Sequence, residues 1–386
     1  MKVLVFVEYY LPGYKSGGPI RTISSIVETA GSDFQFRIVT KDRDSGEDES
    51  YPSVFPDSWN QVGLAKVFYL SPKRQTLRGV YDVLREDSFG VLYLNSFFNP
   101  GFTLRPFLAN IFFFRKPTIL CPRGEFSPGA LGIKSPKKKL YIWLFRFLGF
   151  HKKIIWQATT AEEAALIQDV FGTGIQIKIA QNISLPSLSS GDFLPKSSPL
   201  KVVFLSRVSE KKNLMGALQS FASVQTGVRF DVYGPTSRAE DIAYLKECQR
   251  VASALPKNID VRFCSEIHHD DVATTLSRYD LFFLPTLGEN FGHAILEALA
   301  AGLPILIGNT TPWRNLEEAG VGWDIDPYDH AAFADAIESV AKLSPEDHLY
   351  MRKKALAYAT GYVENSEAVE QTKALFQFAL NSSEQK

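Results

Sequence analysis

The 386-residue chain is poor in cysteine and methionine, with three of each. Cys121, Cys248 and Cys264 form no CxxC pair, which excludes a disulfide framework and a cysteine zinc site and makes a reducing compartment the simplest setting. Net charge is absent, with 42 Lys and Arg against 42 Asp and Glu. No apolar run approaches the roughly 20 residues that a spanning helix needs, so an integral membrane protein is not expected. The opening MKVLVFVEYYLPGYKSGG is interrupted by Glu8 and Pro12, unlike the apolar core of a secretory leader. Lys2 to Val7 reads as a buried strand instead.

The zero net charge conceals an asymmetry. Cut at Ser190, inside the Ser/Pro-rich stretch 185–199, the first part holds 23 basic and 16 acidic residues, net +7, and the remainder is net −7. Short β-branched and aromatic runs alternate with helical patterns throughout, as in βαβ units with parallel sheets. Strands are expected near 2–8, 36–40, 66–70, 90–94, 118–121, 154–158 and 175–179, with helices near 19–30, 74–87, 101–113, 136–149 and 161–171. The alternation restarts with strands 201–206, 229–234, 260–264, 280–285 and 303–308. Helices there are expected near 213–225, 238–254, 269–277, 292–301, 329–342, 345–361 and 366–380. The fold class is therefore α/β, with two doubly wound Rossmann-like domains, and ligands are expected at the carboxyl ends of the strands, in a cleft if the domains face each other.

Three motifs stand at such strand ends. Gly17-Gly18-Pro19-Ile20-Arg21 follows the first strand and opens a helix, which reads equally as a tight turn or as a phosphate site at a helix N-terminus. It is not GxGxxG, which removes the main support for a nicotinamide cofactor. Arg207 and Lys212, in SRVSEKKN, can converge on a diphosphate, or belong to a solvated loop. Glu289 and Glu297, in GENFGHAILE, flank a helix N-terminus whose amides at Asn290, Phe291 and Gly292 can receive phosphate or sugar oxygens. Carboxylates accept hydrogen bonds from sugar hydroxyls.

Together, GGPIR, SRVSEKKNL and GENFGHAILEALAAGLPILIGN resemble the retaining glycosyltransferases of the GT-B fold, family 4 (group 1), with its E-x7-E element, over essentially the whole chain. The resemblance implies an acceptor-binding domain at 1–184, a linker at 185–199, a nucleotide-sugar-binding domain at 200–362, and a C-terminal helix in 363–386 that returns to the first domain. It implies that Arg207 and Lys212 bind the donor diphosphate, Glu289 the transferred sugar, the amides of 290–292 sugar and phosphate oxygens, and Glu297 the ribose, with Gly17 and Gly18 completing the phosphate site. Arg207, Lys212 and Glu289 would carry catalysis. No cofactor or metal is expected, the nucleotide-diphosphate sugar being a co-substrate. Where many members place a histidine near the sugar, this chain has Arg123, Gly124 and Glu125. Arg123 and Glu125 are therefore candidate sugar or acceptor contacts. Asn213 stands where glycine is commoner.

The strings Asp42-Arg43-Asp44 and Asp324-Ile325-Asp326 are discounted as metal sites because matches this short arise by chance, and His268-His269-Asp270-Asp271 is discounted because adjacent histidines point different ways on a helix. Residues 102–153 hold eleven cations, Lys134 among them, and one acid, Glu125. Within them, Lys137, Lys138, Lys139, Trp143 and Arg146 lie on a basic, aromatic helix at 136–149, which reads either as a buried packing helix or as a contact for anionic lipid. Nucleic acid is not an expected partner, since no recognised binding motif accompanies the charge. The expectation is a cytoplasmic enzyme, peripheral on the inner face of the membrane, that adds a sugar to a lipid-linked saccharide of a bacterial O-antigen or exopolysaccharide. An epimerase of the same fold, or a non-catalytic nucleotide-sugar-binding subunit, is the alternative.

Overall fold

The computed structural model describes residues 1–132, 135–236 and 239–384, without the side chains of residues 128, 129, 135, 239, 269, 383 and 384. Lys134 lies outside the described residues. The chain divides into two units, unit 1 (Met1–Ser184 with Ser366–Lys386) and unit 2 (Leu185–Asn365).

Unit 1 runs β1 (Lys2–Phe6), α1 (Gly18–Ala30), β2 (Gln35–Lys41), β3 (Trp59–Val62), β4 (Ala65–Leu70), α2 (Leu77–Glu86), β5 (Val91–Asn95), α3 (Arg105–Ala109), β6 (Thr118–Cys121), α4 (Pro128–Gly132), α5 (Ser135–Phe147), β7 (Ile155–Ala158), α6 (Ala161–Phe171) and β8 (Gln176–Ile179). Its eight strands are ordered β3-β4-β2-β1-β5-β6-β7-β8, with β3 antiparallel to β4 and the other pairs parallel. Successive side chains of a strand face opposite sides. Val3 and Val5 accordingly join Ile20, Ile23 and Ile26 of α1 in one core, while Leu4 and Phe6 join Val83, Phe107, Phe145 and Phe171 in another. Covering both faces is what makes these strands apolar along their whole length.

Unit 2 runs β9 (Leu200–Leu205), α7 (Leu214–Ser220), β10 (Val228–Tyr233), α8 (Ala239–Ala252), β11 (Ile259–Phe263), α9 (Val272–Leu276), β12 (Leu281–Leu284), α10 (His293–Ala300), β13 (Ile305–Gly308), α11 (Leu316–Ala319), β14 (Gly322–Ile325), α12 (His330–Lys342) and α13 (Pro345–Glu364). The strand order is β11-β10-β9-β12-β13-β14, all parallel. A last helix, α14 (Ala368–Glu384), belongs to unit 1. Its Phe376 ring lies 5.4 Å from Phe34, 5.9 Å from Phe36 and 5.4 Å from Tyr93.

The stretch 185–199 has no strand or helix of its own before β9 and is fixed to unit 2. The Ser189 N–H donates to the Ala300 carbonyl at 2.9 Å. The Lys196 ammonium caps the end of α12 at the Ala341 carbonyl, 2.6 Å away. Phe193 lies beneath the Arg352 guanidinium at 4.8 Å. A Cβ on Gly302, at φ +69°, would come within 2.3 Å of that ring, so the Ala-Gly-x-Pro entry to β13 requires glycine here.

Two strands are absent from the sequence expectation. β3 is a polar edge strand closed onto β4 through Gly63 at φ +54°, and β14 (GWDI) lacks an apolar run. The expected helix 101–113 is instead α3 between two π-helical turns, Pro100–Leu104 and Asn110–Phe114, because Pro106 has no N–H to continue a regular ladder. The helix expected over 213–225 ends at Ser220 and passes into a 3-10 turn, Phe221–Ser223. The one expected over 269–277 splits into a 3-10 turn, His269–Asp271, and α9.

Buried His348 of α13 places Nε2 2.9 Å from the Asp280 carbonyl. Burial holds its pKa below the ordinary 6.5, the Asp280 carbonyl opposing and Arg352 assisting. The unfolded chain therefore binds this proton first. The contribution to stability is complete above the ordinary value and is lost as pH falls from there towards the folded-state value, at up to about 1.4 kcal/mol per pH unit. Urea titrations at a series of pH values will show unit 2 weakening below neutrality, and His348→Gln will flatten that slope by close to one proton. An unchanged slope would contradict the assignment.

Candidate active site

Each sheet reverses its winding once, at β1/β5 in unit 1 and at β9/β12 in unit 2. Loops leaving the carboxyl ends of strands at such a reversal form the natural crevice of an open α/β sheet. In unit 2 these are residues 206–213 and 285–292, and they are sewn together. The Lys211 carbonyl accepts the Leu287 N–H at 2.8 Å and the Thr286 hydroxyl at 3.1 Å. The Asn213 amide donates to the Pro285 carbonyl at 3.0 Å, and its oxygen caps α7 through the Gly216 N–H at 3.1 Å. Asn213 sits at φ +56°, a left-handed conformation that asparagine tolerates better than most residues. That accounts for asparagine serving in a position where glycine is commoner.

The stitched loops bring Lys212 and Glu289 into a hydrogen-bonded ion pair with 15% and 10% of their side-chain surfaces accessible. An ammonium carries three donors, so pairing with Glu289 leaves two for phosphate oxygens. Arg207, half-buried, leaves β9 in a loop held by the Ser206 N–H on the Tyr233 carbonyl and the Val208 N–H on the Pro235 carbonyl, both at 3.1 Å. Beyond Glu289, Asn290 and Phe291 lead to Gly292, the N-cap of α10, at φ +86° and without a side-chain cap. Glu297 is half-buried just over a turn inside that helix. The Trp313 indole donates to the Phe291 carbonyl at 2.5 Å and its ring lies 4.8 Å from that of Tyr362, tilted by 44°, so it fixes the loop before α10. Sequence reasoning missed Trp313. It lies 16 residues beyond Glu297, after another strand, and no spacing ties it to the motif.

In unit 1, Gly17 N-caps α1 at φ +64°, with Gly18 and Pro19 opening the helix, again with no side-chain cap. Asp44 braces this loop by accepting the Tyr14 and Lys15 N–H groups at 2.8 and 3.2 Å. Thr76, Thr160, Asp329 and Ser344 cap α2, α6, α12 and α13 with their side chains. By contrast, α1 and α10 begin on glycine, and their leading amides are suited to an anion.

The structure does not join Arg123 to Glu125. The Arg123 guanidinium turns inward to the Asn95 oxygen at 2.5 Å, the Asn182 oxygen at 2.6 Å and the Tyr93 hydroxyl at 3.2 Å. Glu125 accepts the Ser96 hydroxyl at 2.7 Å, the Phe97 N–H, and the Phe98 N–H at 3.2 Å. Burial pushes its carboxyl above the usual range against the pull of those donors. Both residues thus shape the turn after β6. Lys138 also faces inward, donating to the Ala130 carbonyl at 2.5 Å and lying 5.0 Å over the Phe98 ring. This corrects its grouping with Lys137 and Lys139 as a surface contact.

Asp42 pairs with Arg43, and Asp324 accepts the Leu316 N–H and pairs with Arg314, so the Asp-x-Asp strings have structural work. The His269 side chain lies outside the description. Among the described residues no group of three or more His, Cys, Asp or Glu side chains is arranged to hold a metal ion.

Residues 190–358 match the family model described as "Glycosyl transferases group 1". The match lies wholly within unit 2 and covers less than half of the chain. A phosphatidyl-myo-inositol mannosyltransferase of Mycobacterium leprae is 26% identical over 206 residues, 50% of this chain and 51% of that protein. The chain thus spans about half the length of this curated relative. Among solved structures, sucrose-phosphate synthase from Thermosynechococcus elongatus superposes with a TM-score of 0.73 at 13% identity, covering 99% of both chains. Anabaena HepE in complex with UDP and glucose gives 0.69 at 15% identity, covering 98% of this chain and 99% of that one. The fold is GT-B, with two Rossmann-like parallel sheets.

Replacing Asn213 tests the geometry of this loop. Asn213→Gly and Asn213→Ala both remove the amide, but only alanine must strain into the left-handed region. Chemical denaturation of unit 2 will therefore find the alanine variant about 1 kcal/mol less stable than the glycine variant, and equal stabilities would refute the backbone argument.

Proposed function

We propose that the protein is a retaining, metal-independent glycosyltransferase that moves a sugar from a nucleoside-diphosphate donor to a lipid-linked saccharide acceptor in bacterial cell-surface polysaccharide synthesis. The observation that carries this reading is the Lys212–Glu289 pair at the β9/β12 reversal, beside the glycine-capped start of α10. Lys212 and Arg207 bind the diphosphate, with the amides of residues 290–292 on sugar and phosphate oxygens. Glu289 accepts from hydroxyls of the transferred sugar, and Glu297 accepts from the ribose. The group 1 match supports the transferase class. The UDP and glucose named for HepE and the inositol lipid named for the mycobacterial relative support the donor and acceptor classes.

In the proposed step, the bond from the anomeric carbon to the diphosphate oxygen breaks as the acceptor oxygen bonds to that carbon on the same face. The departing diphosphate oxygen takes the acceptor hydroxyl's proton. Charge grows on the diphosphate, where Lys212, Arg207 and the helix amides are already oriented, and such preorganised groups stabilise it without reorganisation at the moment of reaction.

The test is thermal shift with UDP, GDP, ADP and dTDP, with and without magnesium, on wild type and Arg207→Ala/Lys212→Ala. One diphosphate will raise the melting temperature without metal, and the double variant will lose the effect. With the matching sugar nucleotide, Lys212→Ala will lower turnover roughly a hundredfold or more. No stabilisation by any of the four would sink the donor assignment. A strict magnesium requirement would sink the metal-free step, and conversion of the sugar nucleotide without acceptor would favour an epimerase.

A further inference from the structure

α5 splits its residues between two environments. Phe145 is buried, and Tyr141 and inward-facing Lys138 pack beside it, on a core where Phe145 stacks on Phe107 at 5.5 Å. On the opposite side Leu140, Trp143, Leu144 and Phe147 are 58%, 57%, 42% and 75% exposed, and Leu148 follows at 53%. Trp143 and Phe147 stack on each other at 5.5 Å with planes 13° apart, so the stripe is ordered without a partner from the core. At about 3.6 residues per turn, these side chains form one band along the helix. Lys137 borders it on one side, and Lys139 and Arg146 border it on the other. All three cations are exposed, and Arg146 also reaches the Val170 carbonyl at 3.1 Å.

The neighbouring segment repeats the pattern. Phe112 and Phe113 are 63% and 65% exposed and are followed by exposed Arg115 and Lys116. Between Glu125 and Glu162 the sequence has seven cations and no acid. Single exposed apolar residues need no explanation, but a contiguous band of large ones does. No helix among the described residues is long and apolar enough to cross a membrane, and α5 has only 13 residues. A short helix with an apolar stripe between cations fits the plane of an interface, with aromatic and leucine side chains among the acyl chains and ammonium and guanidinium groups at anionic headgroups.

We propose that the exposed face of α5, comprising Leu140, Trp143, Leu144, Phe147 and the flanking Lys137, Lys139 and Arg146, docks the protein on an anionic lipid bilayer. The charge selects this occupant. An apolar band alone would suit a second copy or another protein equally well, whereas an acid-free stretch of cations matches a surface of phosphate headgroups. The face adds to the transferase reading without depending on it, because vesicle binding needs no sugar nucleotide and uses none of the residues of the donor site.

The experiment is co-sedimentation of the full chain with phosphatidylcholine vesicles and with phosphatidylcholine–phosphatidylglycerol vesicles, alongside sedimentation velocity without lipid. Wild type will pellet with the anionic vesicles only, less so as salt rises, with Trp143 emission shifting to the blue. Lys137→Gln/Lys139→Gln/Arg146→Gln will weaken partitioning by roughly fivefold per cation removed. Trp143→Ser/Phe147→Ser will abolish it, and both variants will keep the wild-type melting temperature and diphosphate response. Wild type remaining in the supernatant, or binding indifferent to both variants, overturns the proposal. So does a lipid-free dimer that Trp143→Ser/Phe147→Ser converts to monomer, which would make a second copy the occupant.

Discussion

The site in unit 2 depends on one backbone arrangement, the stitching of the loop after β9 to the loop after β12 through the Lys211 carbonyl. A parallel sheet supplies these loops side by side, but nothing in the sheet fixes how far each extends. Two donors on one carbonyl, together with the Asn213 amide on the Pro285 carbonyl, set that relation. The Lys212 ammonium and the Glu289 carboxylate then meet at salt-bridge distance although 76 residues separate them in the chain. Holding opposite charges together in a partly desolvated place costs free energy unless the geometry is good. That cost is offset by the attraction and the hydrogen bond between the two groups, which also orient them.

The glycines around this stitch work by what they omit. Gly234 brings the backbone after β10 so near the Ser206 carbonyl that a Cβ would lie 1.8 Å from it. Gly292 starts α10 in a left-handed turn against Ile295 and Trp313, where a Cβ would fall 2.8 Å from the Ile295 side chain. The helix start therefore carries no capping side chain.

Much of this was legible beforehand. Apolar runs such as KVVFL and ILIG sit in strands because a doubly covered parallel sheet requires them, and the positions of Arg207, Lys212 and Glu289 followed from where those runs end. What escaped notice had a common physical cause. β3 and β14 owe their place to backbone pairing rather than to side-chain burial, so their sequences lack a pattern. Trp313 matters through one indole hydrogen bond across a strand, and Lys138 turns inward because of its helical phase relative to Phe145. The inward-facing network of Arg123 depends on Tyr93 and Asn95 of β5 and on Asn182 beyond the end of β8. Long-range side-chain partnerships of this kind leave no periodicity to read.

The return of α14 to unit 1 bears on how the chain is made. Unit 2 is continuous in sequence and holds all its core residues between 185 and 365, whereas unit 1 is split around it. Phe376 fills the space between Phe34, Phe36 and Tyr93, and this position stays empty until α14 has been synthesised. Domains generally fold in order of emergence from the ribosome. Here unit 1 starts before unit 2 in the chain and is sealed after it, its α1-side core waiting, open to solvent, until α14 has emerged.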